Sequence, residues 1–115
     1  MDTYYDVDLR LNVPVAMRDG VCLSTDIYLP RAEGPFPVVL IRTPYSNNVE
    51  DLIRKGRQWA NRGYVCVAQD VRGRWDSDGE YRPFFDEAED GFDTEQWIGA
   101  QPWSNWRIGM SGGSY

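Results

Sequence analysis

Two short apolar runs with a helical pattern between them constrain the fold of this chain more than any other feature. The runs cover residues 37–41 and 64–68, and neither contains a charged side chain. Continuous apolar strands of this kind are typical of a parallel sheet that is covered on both faces. The residues that recur at helical spacing between the two runs are apolar or small: Val49, Leu52, Ile53, Gly56, Trp59 and Ala60. The pattern predicts a βαβ unit and therefore an α/β fold, with Asn47 or Asn48 capping the helix and Gly63 ending it.

The first thirty residues predict an antiparallel hairpin. Apolar and polar residues alternate over residues 7–13, which is typical of a strand with one face in water. Residues 21–29 repeat this alternation, and the pair Asp19 and Gly20 between the two segments favours a tight turn. Cys22 and Cys66 each fall inside a predicted strand, where we expect them to be buried thiols.

A second helix and a last strand are predicted towards the end of the chain. The helix covers about residues 86–99, with Ala88, Phe92 and Ile98 on its inner face. We interpret its first turns as a solvated acidic face that suits the helix dipole, formed by Asp86, Glu87, Glu89 and Asp90. The strand covers residues 107–111 and leads into residues 112–115.

Length and charge exclude several functional classes. With 115 residues the chain suits one small domain, and its 18 acidic against 12 basic residues argue against nucleic acid or an anionic membrane as a partner. We expect a cytoplasmic location, because no apolar run could span a bilayer and the first residues lack the form of a signal peptide. Residues 76–80 only faintly resemble a calcium loop, and no glycine-rich dinucleotide motif follows a strand. We therefore expect neither a metal nor a cofactor.

Three polar segments follow the predicted parallel strands and are expected to meet at one edge of the sheet. They cover residues 42–45, 70–76 and 112–115. Ligands of open α/β sheets bind beyond the carboxyl ends of the strands, so this edge is the predicted site.

The last segment is typical of a nucleophile elbow, a sharp turn between strand and helix that exposes a serine hydroxyl. Two serines fit this interpretation. Ser111 matches the pattern G-x-S-x-G in residues 109–113, but it leaves only about four residues for the preceding strand. Ser114 allows a strand of ordinary length, and Gly112 precedes it by two positions. A glycine- and serine-rich loop without chemistry is the third interpretation.

Residues 63–79 (GYVCVAQDVRGRWDSDG) resemble the G-Y-V-V-V-x-Q-D-x-R-G-R-G-x-S-x-G segment of the X-Pro dipeptidyl-peptidase and cocaine esterase-like (CocE/NonD) serine hydrolases. Further motifs match the same family in the same order, at residues 17–21, 42–45, 90–94, 101–105 and 109–115. The resemblance implies that residues 1–115 are the N-terminal portion of one α/β-hydrolase catalytic domain, in which an antiparallel hairpin leads into a parallel sheet with crossover helices. It also implies hydrolysis of small-molecule esters, amides or X-Pro peptides.

The resemblance implies roles for three residues. Ser114 is the nucleophile, while the backbone N–H of Tyr115 and the hydroxyl of Tyr45 form the oxyanion hole. For Tyr45 the alternative is a loop aromatic that packs against the sheet. Trp75 and Trp106 stand where the family often has glycine, so both loops are expected to differ in shape.

Two arginines of the second segment have a structural and a functional interpretation. We expect Arg72 and Arg74 to form ion pairs with Asp70 or Asp76, and the alternative is that they orient a substrate.

The complete absence of histidine limits the chemistry of these 115 residues. In α/β hydrolases the triad acid and histidine follow the serine in the chain, and here only Tyr115 follows Ser114. We therefore expect the chain to end just after the elbow of a larger hydrolase and to be inactive and unstable alone. The rival hypothesis is a non-catalytic α/β binding module that retains the hydrolase framework.

Overall fold

The computed structural model describes residues 4–43, 50–73, 77, 79 and 87–110. In this part of the chain, five strands form one mixed sheet in the order β1-β2-β4-β3-β5, with two helices packed on it. The elements follow one another as β1 Val7–Ala16, β2 Cys22–Pro30, β3 Phe36–Thr43, α1 Glu50–Asn61, β4 Val65–Asp70, α2 Glu87–Gly99 and β5 Ser104–Met110.

The predicted βαβ unit is confirmed as β3, α1 and β4. β3 and β4 are parallel neighbours, with Val39 opposite Cys66 and Ile41 opposite Ala68. Gly63 ends the helical region as predicted, because its φ of 93° is in the left-handed region and its N–H donates to the Ala60 carbonyl oxygen at 3.1 Å. The predicted caps Asn47 and Asn48 lie outside the described residues.

The predicted hairpin is confirmed as well. β1 pairs antiparallel with β2, and β2 in turn pairs antiparallel with β4. The turn is closed by hydrogen bonds from Met17 N to Val21 O (2.8 Å) and from Gly20 N to Met17 O (2.9 Å). Gly20 has a φ of 87°, a conformation that favours glycine.

The prediction that both hairpin strands have one face in water is wrong for β2. Ser24, Asp26 and Tyr28 are 4%, 4% and 1% exposed, because β2 lies inside the sheet and α1 covers this face. In β1, Leu9 and Leu11 are exposed instead of buried. β1 is an edge strand whose register shifts between Arg10 and Val13, so Leu9 and Leu11 lie outside the core although Val7 still packs against it.

Two apolar layers lie on opposite faces of the sheet. On the α1 face, Val39, Ile41 and Ala68 pack with Ala60. Cys66 lies in the same cluster, and burial raises the pKa of its thiol to about 12. Cys22, predicted to be buried, is only half-buried at the start of β2. The α2 face is packed by Ile27, Leu29, Val38, Leu40, Val65, Val67, Ile98 and Trp103.

The predicted inner face of α2 is wrong in two of its three residues. Ile98 is fully buried, but Ala88 and Phe92 are exposed. Asp90 and Thr94 are buried in their place, at 2% and 0% exposure. The first half of α2 therefore covers polar groups of the sheet. Its buried residues recur at helical spacing but are polar, so a search for apolar residues at that spacing does not find them.

β5 begins three residues earlier than predicted and pairs in parallel with β3 at the edge of the sheet. Trp106 within it has a φ of 69°, which is a left-handed conformation where side chains are rarely tolerated. Its indole lies against the end of α2, since a Cβ added to Gly99 would be 2.0 Å from Trp106 Cζ3. Glycine at position 99 therefore makes room for the indole.

Candidate active site

The three strands that were predicted to deliver the site end at one edge of the sheet, because β3, β4 and β5 are parallel. Thr43 and Asp70, the last residues of β3 and β4, are register partners. The Val71 N–H donates to the Thr43 carbonyl oxygen at 2.9 Å, so the pairing continues one residue beyond β4. Met110, the last residue of β5, is level with Leu40.

The residues predicted to perform the chemistry, Tyr45, Ser114 and Tyr115, lie outside the described residues, as does the competing Ser111. One argument that separated the two serines no longer holds. β5 has seven residues before position 111, so Ser111 does not follow an unusually short strand. The choice of Ser114 now depends on the family resemblance alone.

A buried polar row crosses the sheet one residue before the ends of β3 and β4. It consists of Thr25, Gln69 and Arg42, which are register partners on β2, β4 and β3. Gln69 Oε1 accepts from Arg42 Nε at 2.8 Å, and Gln69 Nε2 donates to Thr25 Oγ1 at 3.2 Å. Gln69 and Thr25 are fully buried and Arg42 is half-buried. We call these three residues the polar row.

Thr94 of α2 covers the polar row. Its Oγ1 lies 3.0 Å from Gln69 Oε1 and 2.8 Å from the carbonyl oxygen of Asp90, so the one hydroxyl proton is shared between two acceptors. The polar row is therefore connected to a second element as well as across the sheet.

Arg72, which follows β4 by two residues, lies between two carboxylates. It donates to both oxygens of Asp90, at 2.9 and 2.8 Å, and to Asp19 in the hairpin turn at 2.8 Å. The hydrogen bond with Asp90 raises the pKa of Arg72, and the hydrogen bond from Arg72 lowers the pKa of Asp19. This arrangement holds the start of the segment after β4 against both α2 and the hairpin.

These ion pairs bear on two predictions. Arg72 forms ion pairs as expected, and the partners that the structure describes, Asp90 and Asp19, are 18 and 53 residues away in the chain. Its side chain is 11% exposed, which does not suit contact with a substrate. Asp90 is a buried ion-pair partner, not part of a solvated acidic face. Asp76 and Arg74 lie outside the described residues.

A second ion pair joins the same hairpin turn to α2. Arg18 donates through Nη2 to Asp93 Oδ1 at 2.8 Å and through Nε to Oδ2 at 3.0 Å, and its backbone N–H also donates to this carboxylate. These hydrogen bonds lower the pKa of Asp93 and raise that of Arg18. The turn between β1 and β2 is thus fixed at the same edge as the strand ends.

Ser77 connects the segment after β4 to the sheet through buried hydrogen bonds. Its Oγ donates to the Asp70 carbonyl oxygen at 2.7 Å and accepts from the Ser24 N–H at 2.8 Å. Because Ser77 is 8% exposed, its hydroxyl serves as a buried link between β2 and the end of β4.

The described residues contain no cluster of three or more potential metal ligands.

Sequence reasoning identified the edge of the sheet but missed Gln69 and Thr94 as buried polar residues. One signal was available for Gln69: it is a neutral polar residue that directly follows the apolar run 64–68.

A sequence profile of the X-Pro dipeptidyl-peptidase (S15) family matches residues 19–115. The chain belongs to this family. Cocaine esterase from Rhodococcus sp. (strain MB1 Bresler) is 44% identical over 108 residues, which cover 90% of this chain and 19% of that enzyme. The S15-family chain thus spans about a fifth of the length of the curated relatives it matches.

Two solved structures share the fold. An aminopeptidase from the marine sediment archaeon Thaumarchaeota archaeon is 30% identical with a TM-score of 0.81, and the match covers 96% of this chain and 22% of that one. A CocE/NonD family hydrolase from Staphylococcus aureus is 27% identical with a TM-score of 0.82, covering 91% and 23%. The prediction of an α/β-hydrolase fold is confirmed.

Neither α1 nor α2, the helices of the described residues, combines the length and the apolar character that a membrane span requires.

Proposed function

We propose that this chain carries the nucleophile and the oxyanion hole of a serine hydrolase that cleaves acyl bonds in small esters, amides or X-Pro peptides. The observation that supports the proposal is the convergence of three parallel strand ends at one edge in a member of the S15 family. The segments that follow these ends contain Tyr45 and Ser114.

In the proposed mechanism, Ser114 Oγ attacks the carbonyl carbon of the substrate while a general base removes its proton. The bond to the leaving group then breaks, the leaving group receives that proton, and an acyl ester remains on Ser114. A water molecule hydrolyses this ester and restores the hydroxyl.

The oxyanion that forms during attack would be bound by the Tyr45 hydroxyl and the Tyr115 N–H. Donors that are fixed before the reaction stabilise this charge without reorganisation, and one such donor typically contributes about 3–4 kcal/mol. Tyr45 follows Thr43 by two residues, so its position depends on how the end of β3 is held.

The general base must come from outside these 115 residues, because they contain no histidine. Removal of triad residues leaves only a residual rate, about 10³–10⁴ over water in intact enzymes. We therefore propose that residues 1–115 form one part of a single catalytic domain and are inactive alone.

The names of the relatives favour an enzyme, since they describe an esterase and an aminopeptidase. A small-molecule acyl substrate suits both names. The alternative, a binding module without chemistry, keeps the same framework and differs only in whether Ser114 is activated. A cytoplasmic location and the absence of nucleic-acid partners stay predictions.

The first prediction is covalent labelling at Ser114. The complete gene product should react with a fluorophosphonate probe, the Ser114→Ala variant should not, and its esterase rate should fall by about a thousandfold or more. Ser111→Ala is the matched control and should keep both labelling and activity. Labelling that is lost only in Ser111→Ala would assign the nucleophile to Ser111, and no labelling of the unmodified protein would favour the binding module.

A further inference from the structure

On β3 and β4, the α2 face of the sheet changes from apolar to polar near the edge of the proposed site. One row across three strands consists of Ile27, Val67 and Leu40, which are 1%, 0% and 0% exposed. The next row, two residues closer to the edge on β3 and β4, is the polar row. The side chains of both rows point to the same face, because strand residues alternate with a period of two.

The polar row is joined by hydrogen bonds at its centre. The Gln69 amide uses both of its ends, because its oxygen accepts from Arg42 and Thr94 and its nitrogen donates to Thr25. The Thr25 hydroxyl in turn donates a hydrogen bond to the Leu23 carbonyl oxygen at 3.1 Å. Four elements (β2, β3, β4 and α2) therefore meet at one fully buried amide.

Stability alone does not explain a polar group at this place. Replacing hydrogen-bonded buried groups by apolar groups of the same shape is often neutral or even stabilising. A buried hydrogen-bond network instead favours one arrangement of the elements that it joins, because any other arrangement breaks hydrogen bonds between buried groups.

We propose that Gln69 is a positioning residue that fixes the end of β3 for catalysis. It holds the Arg42 side chain in register with β4, and Arg42 precedes the proposed oxyanion donor Tyr45 by three residues. This inference rests on the proposed function. A misplaced oxyanion donor weakens binding of the transition state more than binding of the substrate, so the effect falls on kcat and not on KM.

The test compares three variants of the complete gene product with an ester substrate. Gln69→Met keeps the length of the side chain but removes the acceptor, and we expect kcat to fall about tenfold or more with KM within about twofold. Gln69→Glu keeps an oxygen that accepts from Arg42 and Thr94, and it should restore kcat to within about threefold. Gln58→Met is the matched control, because Gln58 is exposed on α1, and it should leave both constants unchanged.

Two outcomes would overturn the proposal: an unchanged kcat in Gln69→Met, or equal losses in the Met and Glu variants. If Gln69→Met does not fold, Arg42→Met is tested in its place. It removes the donor of the same hydrogen bond at a residue that is only half-buried, and it should give the same loss of kcat. Ser114→Ala, measured in the same assay, distinguishes a failure of the proposed function from a failure of the positioning role of Gln69. If that variant remains active, the proposed function fails, and if it is inactive while Gln69→Met is fully active, only the positioning role fails.

Discussion

Gly56 illustrates how one buried contact decides which residue a position accepts. A Cβ added there would lie 2.6 Å from Cδ1 and Cε1 of the Tyr28 ring, which is nearer than such atoms approach. Tyr28 is 1% exposed, and burial raises the pKa of its hydroxyl to about 12. The ring has little room to move, so α1 approaches the sheet closely only because position 56 lacks a side chain.

We predict that Gly56→Ala destabilises the protein by about 1–2 kcal/mol. Overpacking typically costs about 1–3 kcal/mol, whereas the better helix propensity of alanine returns at most about 1 kcal/mol. Chemical denaturation of the complete gene product measures the difference. Gly91→Ala is the matched control in α2, because among the described residues the added Cβ would meet only Arg42 Nη1, at 3.9 Å. This control should be stabilising by a few tenths to about 1 kcal/mol, and a Gly56→Ala variant as stable as the unmodified protein would contradict the prediction.

Residues with a positive φ could be predicted from the sequence where they are glycines in turns, but not where the residue is a tryptophan. Gly20 and Gly63 both adopt the positive φ that their turn positions require. The left-handed Trp106 was noticed only as a departure from a family pattern, because its conformation depends on a contact with Gly99 in another element.

The elements that deliver the site are held together by charges at one corner of the sheet. The hairpin turn contributes Arg18 and Asp19, and these contact Asp93 of α2 and Arg72 after β4. The partners are 75 and 53 residues apart in the chain. No local pattern encodes such pairs, which is why the acidic start of α2 was interpreted as a solvated face.

The ion pairs at this corner of the sheet predict how the stability of the protein depends on pH. The pKa values of Asp19 and Asp93 are lowered by hydrogen bonds from arginine. A carboxylate whose pKa is lower in the folded state stabilises the fold above its unfolded pKa of about 4, and this contribution is lost as the pH falls further. We therefore expect Tm to fall between about pH 5 and pH 3, as measured by circular dichroism.

The double variant Asp19→Asn with Asp93→Asn isolates the contribution of these carboxylates. It should be less stable at pH 7 and show a smaller fall of Tm in acid. Glu33→Gln is the control, since it removes an exposed carboxylate between β2 and β3, and its profile should follow that of the unmodified protein. A double variant that keeps the full acid-induced fall would show that other carboxylates cause it.

At the scale of the whole molecule, the sequence predicted the layers of the fold better than the surroundings of the site. The apolar runs 37–41 and 64–68 indicated β3 and β4 correctly, since burial on both faces leaves a continuous pattern. The order of strands, with β5 beside β3, brings the ends of β3, β4 and β5 to one edge as expected. The polar row was not predicted, because a buried glutamine has no periodic signature and its partners come from three other elements.

The absence of histidine gives a prediction for the 115-residue chain as a whole. The purified 115-residue chain should show no steady-state ester hydrolysis above that of its own Ser114→Ala variant, because it contains no histidine to accept the serine proton. The same assay on the complete gene product is the positive control. Turnover by the 115-residue chain that Ser114→Ala abolishes would require a different base among these residues.

The buried pair of Arg72 and Asp90 also restricts how this chain can change over generations. Asp90 is 2% exposed, and its carboxylate is compensated by the guanidinium of Arg72. Loss of the arginine alone would leave an uncompensated buried charge, which typically costs about 3–5 kcal/mol, whereas joint replacement by apolar residues is often neutral. Descendant sequences should therefore lose both charges together or neither.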